Sequence, residues 1–345
     1  MRDPMKVAVV LGGTNEERNV SLATGRAVVA ALRERGHDVV AVDPAHGVVP
    51  REDEERMLGG AVGVDPPDLD ELARLGGSSV GAALAELPAV RRADVVFLAL
   101  HGEFGEDGTV QGLLDLARVA YTGSGCLGSA VAFDKRISKE LLEHEGVPTP
   151  RWTPESAPLG TILRDLGLPL VVKPSSGGST VGLSLVREAE DLPAAIELAA
   201  LYDDDVLCEA FIPGRELTVA VVEGEALPPV EIIPSHEIYD YECKYSAGMS
   251  RYEAPADLTT GETARIQELA VRAYEALRQA SYSRVDFRLS DDGTFWCLEA
   301  NSLPGLTSTS LVPKAAAAAG ISFPELCERI ARSAMRRFRA GPGGA

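Results

Sequence analysis

Residues 284–313 constrain this 345-residue chain more than any other stretch. Two runs rich in strand-forming residues, Arg284–Leu289 and Phe295–Asn301, flank an Asp-Asp-Gly sequence. Asp-Gly between such runs is a strong β-hairpin signal. A two-residue loop at Asp292-Gly293 pairs Asp286 with Glu299 and Arg284 with Asn301. Side chains alternate along a strand, so Arg284, Asp286, Glu299 and Asn301 share one face, and Val285, Phe287, Leu298 and Ala300 take the other, apolar one. Like charges directly opposed destabilise a bare sheet. The polar face therefore admits two readings, a solvated strand face or a cation site. Two carboxylates and an amide oxygen are hard donors, suited to Mg²⁺, which binds through one or two carboxylates plus substrate phosphates.

The surroundings begin at Lys6–Leu11, a near-continuous apolar run of the kind found in parallel strands buried on both faces. Gly12-Gly13-Thr14 turns out of it. A helix is predicted from about Ser21 to Arg35 with Gly36 as its stop, then a strand over His37–Val42. This opening is half of a doubly wound α/β domain, but the glycines do not complete a G-x-G-x-x-G fingerprint. Residues 44–92 are rich in Pro, Gly and acids, with short helices expected at Asp68–Leu75 and Val80–Leu87. They read as a surface elaboration without chemistry. Ala93–Leu100 is another buried-type strand. His101 follows at its carboxyl end, where open α/β sheets bind ligands; a polar turn is the other reading. After Tyr121–Gly125 a helix is predicted through Lys135 to His144.

A new unit follows. Strands at Leu170–Pro174 and Leu183–Val186 enclose Ser175–Gly182, a Gly/Ser/Thr loop that is either a flexible turn or a phosphate cradle built from backbone N–H groups and hydroxyls. It is not a P-loop, since Lys173 precedes the glycines and no helix follows them directly. Strands are expected at Asp205–Ile212 and Glu216–Val222. Ser235–Glu253 holds four of the eight tyrosines and lacks periodicity; it reads as an active-site lid or an interface patch. Amphipathic and basic helices are predicted at Glu262–Leu277 and Phe323–Phe338.

Composition narrows the class. A formal charge of −19 argues against nucleic-acid and anionic-membrane partners. Five scattered cysteines without Cys-x-x-Cys indicate neither a disulfide framework nor a zinc site, and fit a reducing cytoplasm. No apolar span of membrane length occurs. Lysines number only six, so a lysine inside a motif is informative.

The motifs, taken in order, resemble those of the D-alanine–D-alanine ligases of the ATP-grasp superfamily. They are Gly12-Gly13-Thr14-x-x-Glu17-Arg18-x-Val20-Ser21, His101-Gly102-x-x-Gly105-Glu106-Asp107-Gly108-Thr109, Asp134-Lys135, Val172-Lys173-Pro174, Gly178-Ser179-x-Val181-Gly182, Tyr239-Asp240-Tyr241-x-x-Lys244-Tyr245, Arg284-Val285-Asp286 and Glu299-Ala300-Asn301-x-x-Pro304-Gly305. The implied fold is α/β with α+β elements. An N-terminal doubly wound parallel-sheet domain (1–130) precedes two α+β subdomains, 131–214 and 215–340, that clamp ATP.

The resemblance also implies roles. Asp286, Glu299 and Asn301 would hold two Mg²⁺ ions, with Mn²⁺ able to substitute. Lys135 and Lys173 would meet ATP phosphates under the loop that carries Ser175, Gly178 and Ser179. Adenine would lie beside Glu209, Ala210, Phe211 and Ile212, and the ribose on Glu216. Glu17 would bind the first D-alanine's ammonium in a pocket lined by His101, and would link with Ser179 and Tyr245 across the closed lid. Arg284 and the Gly305 N–H would bind the reacting carboxylate and its later oxyanion. Ser310, the Leu311 N–H and Lys244 would take the second carboxylate. The implied activity joins two D-alanines through a D-alanyl phosphate, for peptidoglycan precursors. It would do so in the cytoplasm, in a homodimer whose partners are D-alanine and ATP. A sibling ligase accepting D-lactate, D-serine or another amino acid is the alternative, and a non-catalytic binder is the rival from another class. One departure stands out: Ala280-Ser281-Tyr282-Ser283 lacks a glycine often found before the motif arginine.

Overall fold

The computed structural model describes residues 3–59, 72, 74–76, 81–178, 180–237, 239, 243, 248–307 and 309–340. Strands β1 (Lys6–Val10), β2 (Asp38–Asp43), β3 (Gly47–Val49) and β4 (Val95–Leu98) form the first sheet in the order β3-β2-β1-β4. β1 lies parallel to β2 and β4, and β3 is an antiparallel edge. Val7 to Val10 are all buried. Successive strand residues face opposite ways, so both faces of β1 are covered, as its apolar run requires. The Arg18–Glu34 helix buries Val28, Val29 and Leu32, and Gly36 at φ +82° turns the chain out of it.

Part of the segment expected to be surface elaboration is structural. β3 belongs to it, and its Leu58, Leu84 and Val90 join the core beneath the first sheet. Of the two helices expected there, Asp68–Leu75 falls mostly outside the described residues. The other is a 3₁₀ helix, Gly81–Glu86.

The second sheet contains β5 (Trp152–Pro154), β6 (Leu170–Pro174), β7 (Ser184–Val186) and β8 (Val206–Ala210), antiparallel in the order β5-β8-β6-β7. Helices Leu159–Leu166 and Leu192–Ala199 give it a core of its own, built from Ile162, Leu166, Leu170, Val172, Leu192 and Cys208.

The third sheet holds β9 (Arg215–Val222), β10 (Glu225–Ala226), β11 (Val230–Pro234), β12 (Ser250–Glu253), β13 (Tyr282–Leu289) and β14 (Phe295–Asn301). Its order is β12-β11-β9-β13-β14, with β10 on β9. The tyrosine-rich segment thus ends as strand β12, paired with β11, rather than as loop. A capping box between Thr259 and Glu262 starts the Thr260–Ala276 helix, satisfying N–H groups that a helix start leaves open. That helix packs Ile266, Leu269 and Ala273 on Val219, Val285 and Phe287. The opposite face, with Ala220, Val222 and Tyr282, shares one core with β1, β4 and the helices Leu311–Ala318 and Phe323–Ala340. The first and third sheets are therefore joined through one interior, whereas the second is built around another.

Two local expectations need correction. The helix expected to run through Lys135 is two helices, Cys126–Phe133 and Lys135–His144, broken at an extended Asp134. The Asp134 carboxylate accepts the Ile137 N–H and the Ser175 hydroxyl, so it caps the second helix. The β13–β14 loop has three residues, not two: the Ser290 N–H donates to Thr294 O, the Gly293 N–H donates to Ser290 O, and Gly293 sits at φ +82°. A bulge follows, so that Phe287 pairs with Cys297 yet Asp286 still pairs with Glu299 and Arg284 with Asn301. The extra strand residue is Leu298. It leaves the apolar face and lines a cleft instead.

Candidate active site

Two clefts meet over the polar face of the β13–β14 hairpin. One is walled by the second sheet and its Gly/Ser loop, with Lys135, Lys173, Gly178, Glu209, Ala210, Phe211, Ile212, Glu216, Asp286 and Glu299 among its lining. The other is walled by loops from the first sheet and the turn after β14, with Glu17, His101, Glu106, Asn301, Gly305, Ser310 and Leu311. Arg284, Glu299, Tyr239 and Gly178 line both. Ser175 lines neither; it is buried, with its hydroxyl on Asp134 and its carbonyl accepting the Lys135 N–H. Ser179, Lys244 and Tyr245 lie outside the described residues.

The hairpin's facing acids are compensated by cations and donors. Arg284 donates to both Asp286 oxygens, from Nε at 2.9 Å and Nη2 at 2.8 Å. Thr218 Oγ1 and Asn301 Nδ2 donate to the same carboxylate at 2.6 and 3.1 Å. Lys135 Nζ stands 3.9 Å from Glu299 and donates to Gly177 O in the Gly/Ser loop. Burial opposes the charge on Arg284, but Asp286 and Glu299 outweigh it and raise its pKa. Among the described residues no group of three or more His, Cys, Asp or Glu side chains could hold a metal. The hairpin offers a different set, two facing carboxylates and an amide. These are hard oxygen donors on rigid strands, which fits Mg²⁺ completed by phosphate oxygens.

In the first cleft, Arg288 donates to Ile212 O and to Glu216, both at 3.0 Å, and lies 5.4 Å from the Phe211 ring centroid. It follows Arg284 and Asp286 at period two, a signal that could have found it. Deeper in, Glu209 Oε1 takes Lys173 Nζ at 2.7 Å, and Lys139 Nζ stands 2.8 Å from Oε2. Burial pushes the Glu209 pKa up, but the two lysines prevail and bring it down to about 2.

The second cleft is organised otherwise. His101 is buried, with Nε2 3.0 Å from Thr24 Oγ1. Burial lowers its pKa against the pull of Glu17, which favours the neutral ring. Glu106 accepts the N–H groups of Gly102 at 2.8 Å and Leu303 at 3.3 Å, tying the His101 loop to the turn after β14. Burial, then Glu17, pushes its pKa up to about 8. Gly102, at φ +69°, takes a backbone conformation that L side chains rarely adopt as the chain turns past His101. Gly178, on the roof loop, approaches the Glu17 carboxylate; a Cβ there would sit 3.2 Å away. Asn15 Nδ2 donates to the His101 and Glu103 carbonyls at 2.8 and 2.9 Å, joining the loop that carries Glu17 to the loop that carries His101. Its polar type alone gives no hint of that.

Residues 6–124 match the family model "D-ala D-ala ligase N-terminus", and residues 141–332 match "D-ala D-ala ligase C-terminus". The chain is 44% identical to a D-alanine–D-alanine ligase from Anaeromyxobacter sp. strain Fw109-5, over 94% of this chain and 95% of that one. Among solved structures it resembles the Bacillus anthracis D-alanine–D-alanine ligase complexed with ATP, with TM-score 0.75 and 32% identity, over 98% of this chain and 99% of that one. It also resembles the Enterococcus faecalis VanG D-Ala:D-Ser ligase, with TM-score 0.78 and 29% identity, over 96% of this chain and all (100%) of that one.

Proposed function

The chain belongs to the D-alanine–D-alanine ligase family, and from that premise we propose how its two clefts divide the reaction. It is an ATP-dependent enzyme of the ATP-grasp fold that joins two D-alanines for peptidoglycan precursors. One observation carries the division of labour: Arg284 and Glu299 line both clefts, so a group phosphorylated in one is already within the other.

In this reading adenine rests along Glu209–Ile212, the ribose on Glu216, and the phosphates under Gly178 and Ser179, near Lys135 and Lys173. Asp286, Glu299 and Asn301 would hold two Mg²⁺ ions, with Mn²⁺ as a substitute. The two ions would supply charge neutralisation at the phosphates, the main demand of phosphoryl transfer. Glu17 holds the first D-alanine's ammonium beside His101, and Arg284 holds its carboxylate. A carboxylate oxygen attacks the γ-phosphorus, ADP leaves, and a D-alanyl phosphate remains. The second D-alanine binds its carboxylate at Ser310, the Leu311 N–H and Lys244. Its amine attacks the acyl carbon. Arg284 and the Gly305 N–H stabilise the tetrahedral oxyanion, as preorganised donors do, and inorganic phosphate departs. Ser179 and Tyr245 link to Glu17 and close the site, excluding water from an intermediate that water would hydrolyse.

The test is ADP release by purified protein with ATP, Mg²⁺ and D-alanine, with D-serine, D-lactate and L-alanine offered alongside. D-alanyl-D-alanine should be the main product; ADP release indifferent to D-alanine would defeat the assignment. Chelation should stop turnover, and Glu299→Ala should stop it in a folded protein. The same reading keeps the cytoplasmic homodimer implied by the resemblance. Among the described residues no helix is long and apolar enough to cross a membrane. Sedimentation tests the dimer.

A further inference from the structure

Lys139 is 1% exposed and does not line the nucleotide cleft. It sits one helical turn after Lys135, on a helix whose Leu142 belongs to the core of the third sheet. Its Nζ donates to Thr149 Oγ1 at 2.7 Å and reaches 2.8 Å from Glu209 Oε2. Glu209 and Lys173 stand on β8 and β6 of the second sheet, and both line the cleft. The Lys139–Glu209 pair therefore crosses from one core to the other.

A buried carboxylate flanked by two lysines raises a question of charge. If Lys173 is to meet a phosphate, it must leave Glu209, its partner at 2.7 Å. A buried carboxylate abandoned by its only cation is strongly unfavourable. With Lys139 in place, Glu209 keeps a counter-charge throughout. The geometry suits this. Lys139 Nζ lies 2.8 Å from Glu209 Oε2, and the three N–H groups of an ammonium let it hold that oxygen while also donating to Thr149 Oγ1. Burial lowers the pKa of Lys139 and Glu209 opposes that; each ion supports the other.

We infer that Lys139 is a positioning residue that holds Glu209 as a paired anion and so releases Lys173 to bind a nucleotide phosphate. The inference rests on the proposed phosphate role of Lys173, and the experiment separates the two. Steady-state kinetics would be measured for Lys139→Met, Lys173→Met, Glu209→Gln and Lys139→Met/Glu209→Gln, with melting curves for each. Lys139→Met should raise KM for ATP about tenfold, what one charge-assisted hydrogen bond carries, and leave KM for D-alanine unchanged. Adding Glu209→Gln should cancel the effect of Lys139→Met, so that KM for ATP matches that of Glu209→Gln alone, because a neutral amide no longer detains Lys173. A purely structural Lys139 would show no such cancellation. If Lys139→Met fails to fold, the double variant is compared with Glu209→Gln alone. Equal KM for ATP supports the inference. A further rise of the same tenfold overturns it, as does an unchanged KM in Lys139→Met. An unchanged KM for ATP in Lys173→Met would overturn the phosphate role itself.

Discussion

Glu209 and Glu106 face the same hairpin from opposite sides, and the structure holds them in opposite states. Glu209 is buried between Lys139 and Lys173 on the nucleotide side, and its pKa falls to about 2. Glu106 opens only partly onto the amino-acid cleft. Among the described residues its carboxylate accepts two backbone N–H groups, and burial, then the nearby Glu17, raises its pKa to about 8. Burial raises both pKa values; the neighbours decide the outcome. One side of the active site is built to keep a fixed anion among cations, where phosphates must be met. The other surrounds a buried carboxyl with backbone donors and a second acid, which favours its protonated form.

The contrast can be broken most forcefully by truncation. Glu209→Ala strands Lys139 and Lys173 and should cost about 3–5 kcal/mol of stability, as when one partner of a buried ion pair is removed. Glu106→Ala strands only backbone donors beside an open cleft and should cost clearly less. Chemical denaturation of the two variants decides, and equal losses would erase the distinction. Arg284→Met tests the place where the sides meet: kcat should fall about 10²–10³-fold with little change in KM for ATP, the loss expected for an oxyanion donor. A matching rise in KM for ATP would make Arg284 a nucleotide ligand instead.

Titration sharpens the same comparison. The folded protein holds the Glu106 proton above the ordinary carboxylate pKa of 4.5, up to about 8. The unfolded chain has released it there, so this group makes stability fall as pH rises across that window. Glu209 works the other way. Its contribution is full above 4.5 and is lost as pH falls toward about 2. Melting curves from pH 5 to 8 should therefore slope less in Glu106→Gln than in the parent, whereas the Glu209 contribution should stay level over that range. The smallest effect is expected from Thr24→Val, which removes the hydroxyl on His101 Nε2. It should cost about 0.5–1.5 kcal/mol and raise KM for the first D-alanine a few-fold, with KM for ATP unchanged.

These two environments were unequally legible in the sequence. The pairing of Asp286 with Glu299 can be counted from an Asp-Gly turn, because strand alternation is strict. The count succeeds by compensation: the loop holds one residue more than a two-residue turn, and the bulge at Leu298 restores the register. Leu298 itself is therefore misplaced by simple alternation. Lys173 stands inside a recognisable motif and Glu216 opens an expected strand, and both line the nucleotide cleft. Lys139 does not announce itself, since nothing local says that a helical lysine is buried; a carboxylate 70 residues later sets its role. Glu106 is visible in its motif, yet its proton depends on Glu17, which reaches it only when the loops after β1 and β4 come together. Ser175 looks like part of a phosphate cradle and instead fastens the loop to Asp134. Motif and period carry the residues that point at ligands. The charges that tune them come from distant strands and appear only with the fold.

The central claim is that the first carboxylate is phosphorylated on the nucleotide side before the second amine displaces that phosphate on the amino-acid side. D-alanine labelled with ¹⁸O in its carboxylate tests this directly, by mass analysis of the phosphate released during turnover with ATP. A D-alanyl phosphate formed at Arg284 and broken by the second amine transfers one labelled oxygen to each phosphate. Phosphate free of label, with dipeptide still formed, would contradict the account.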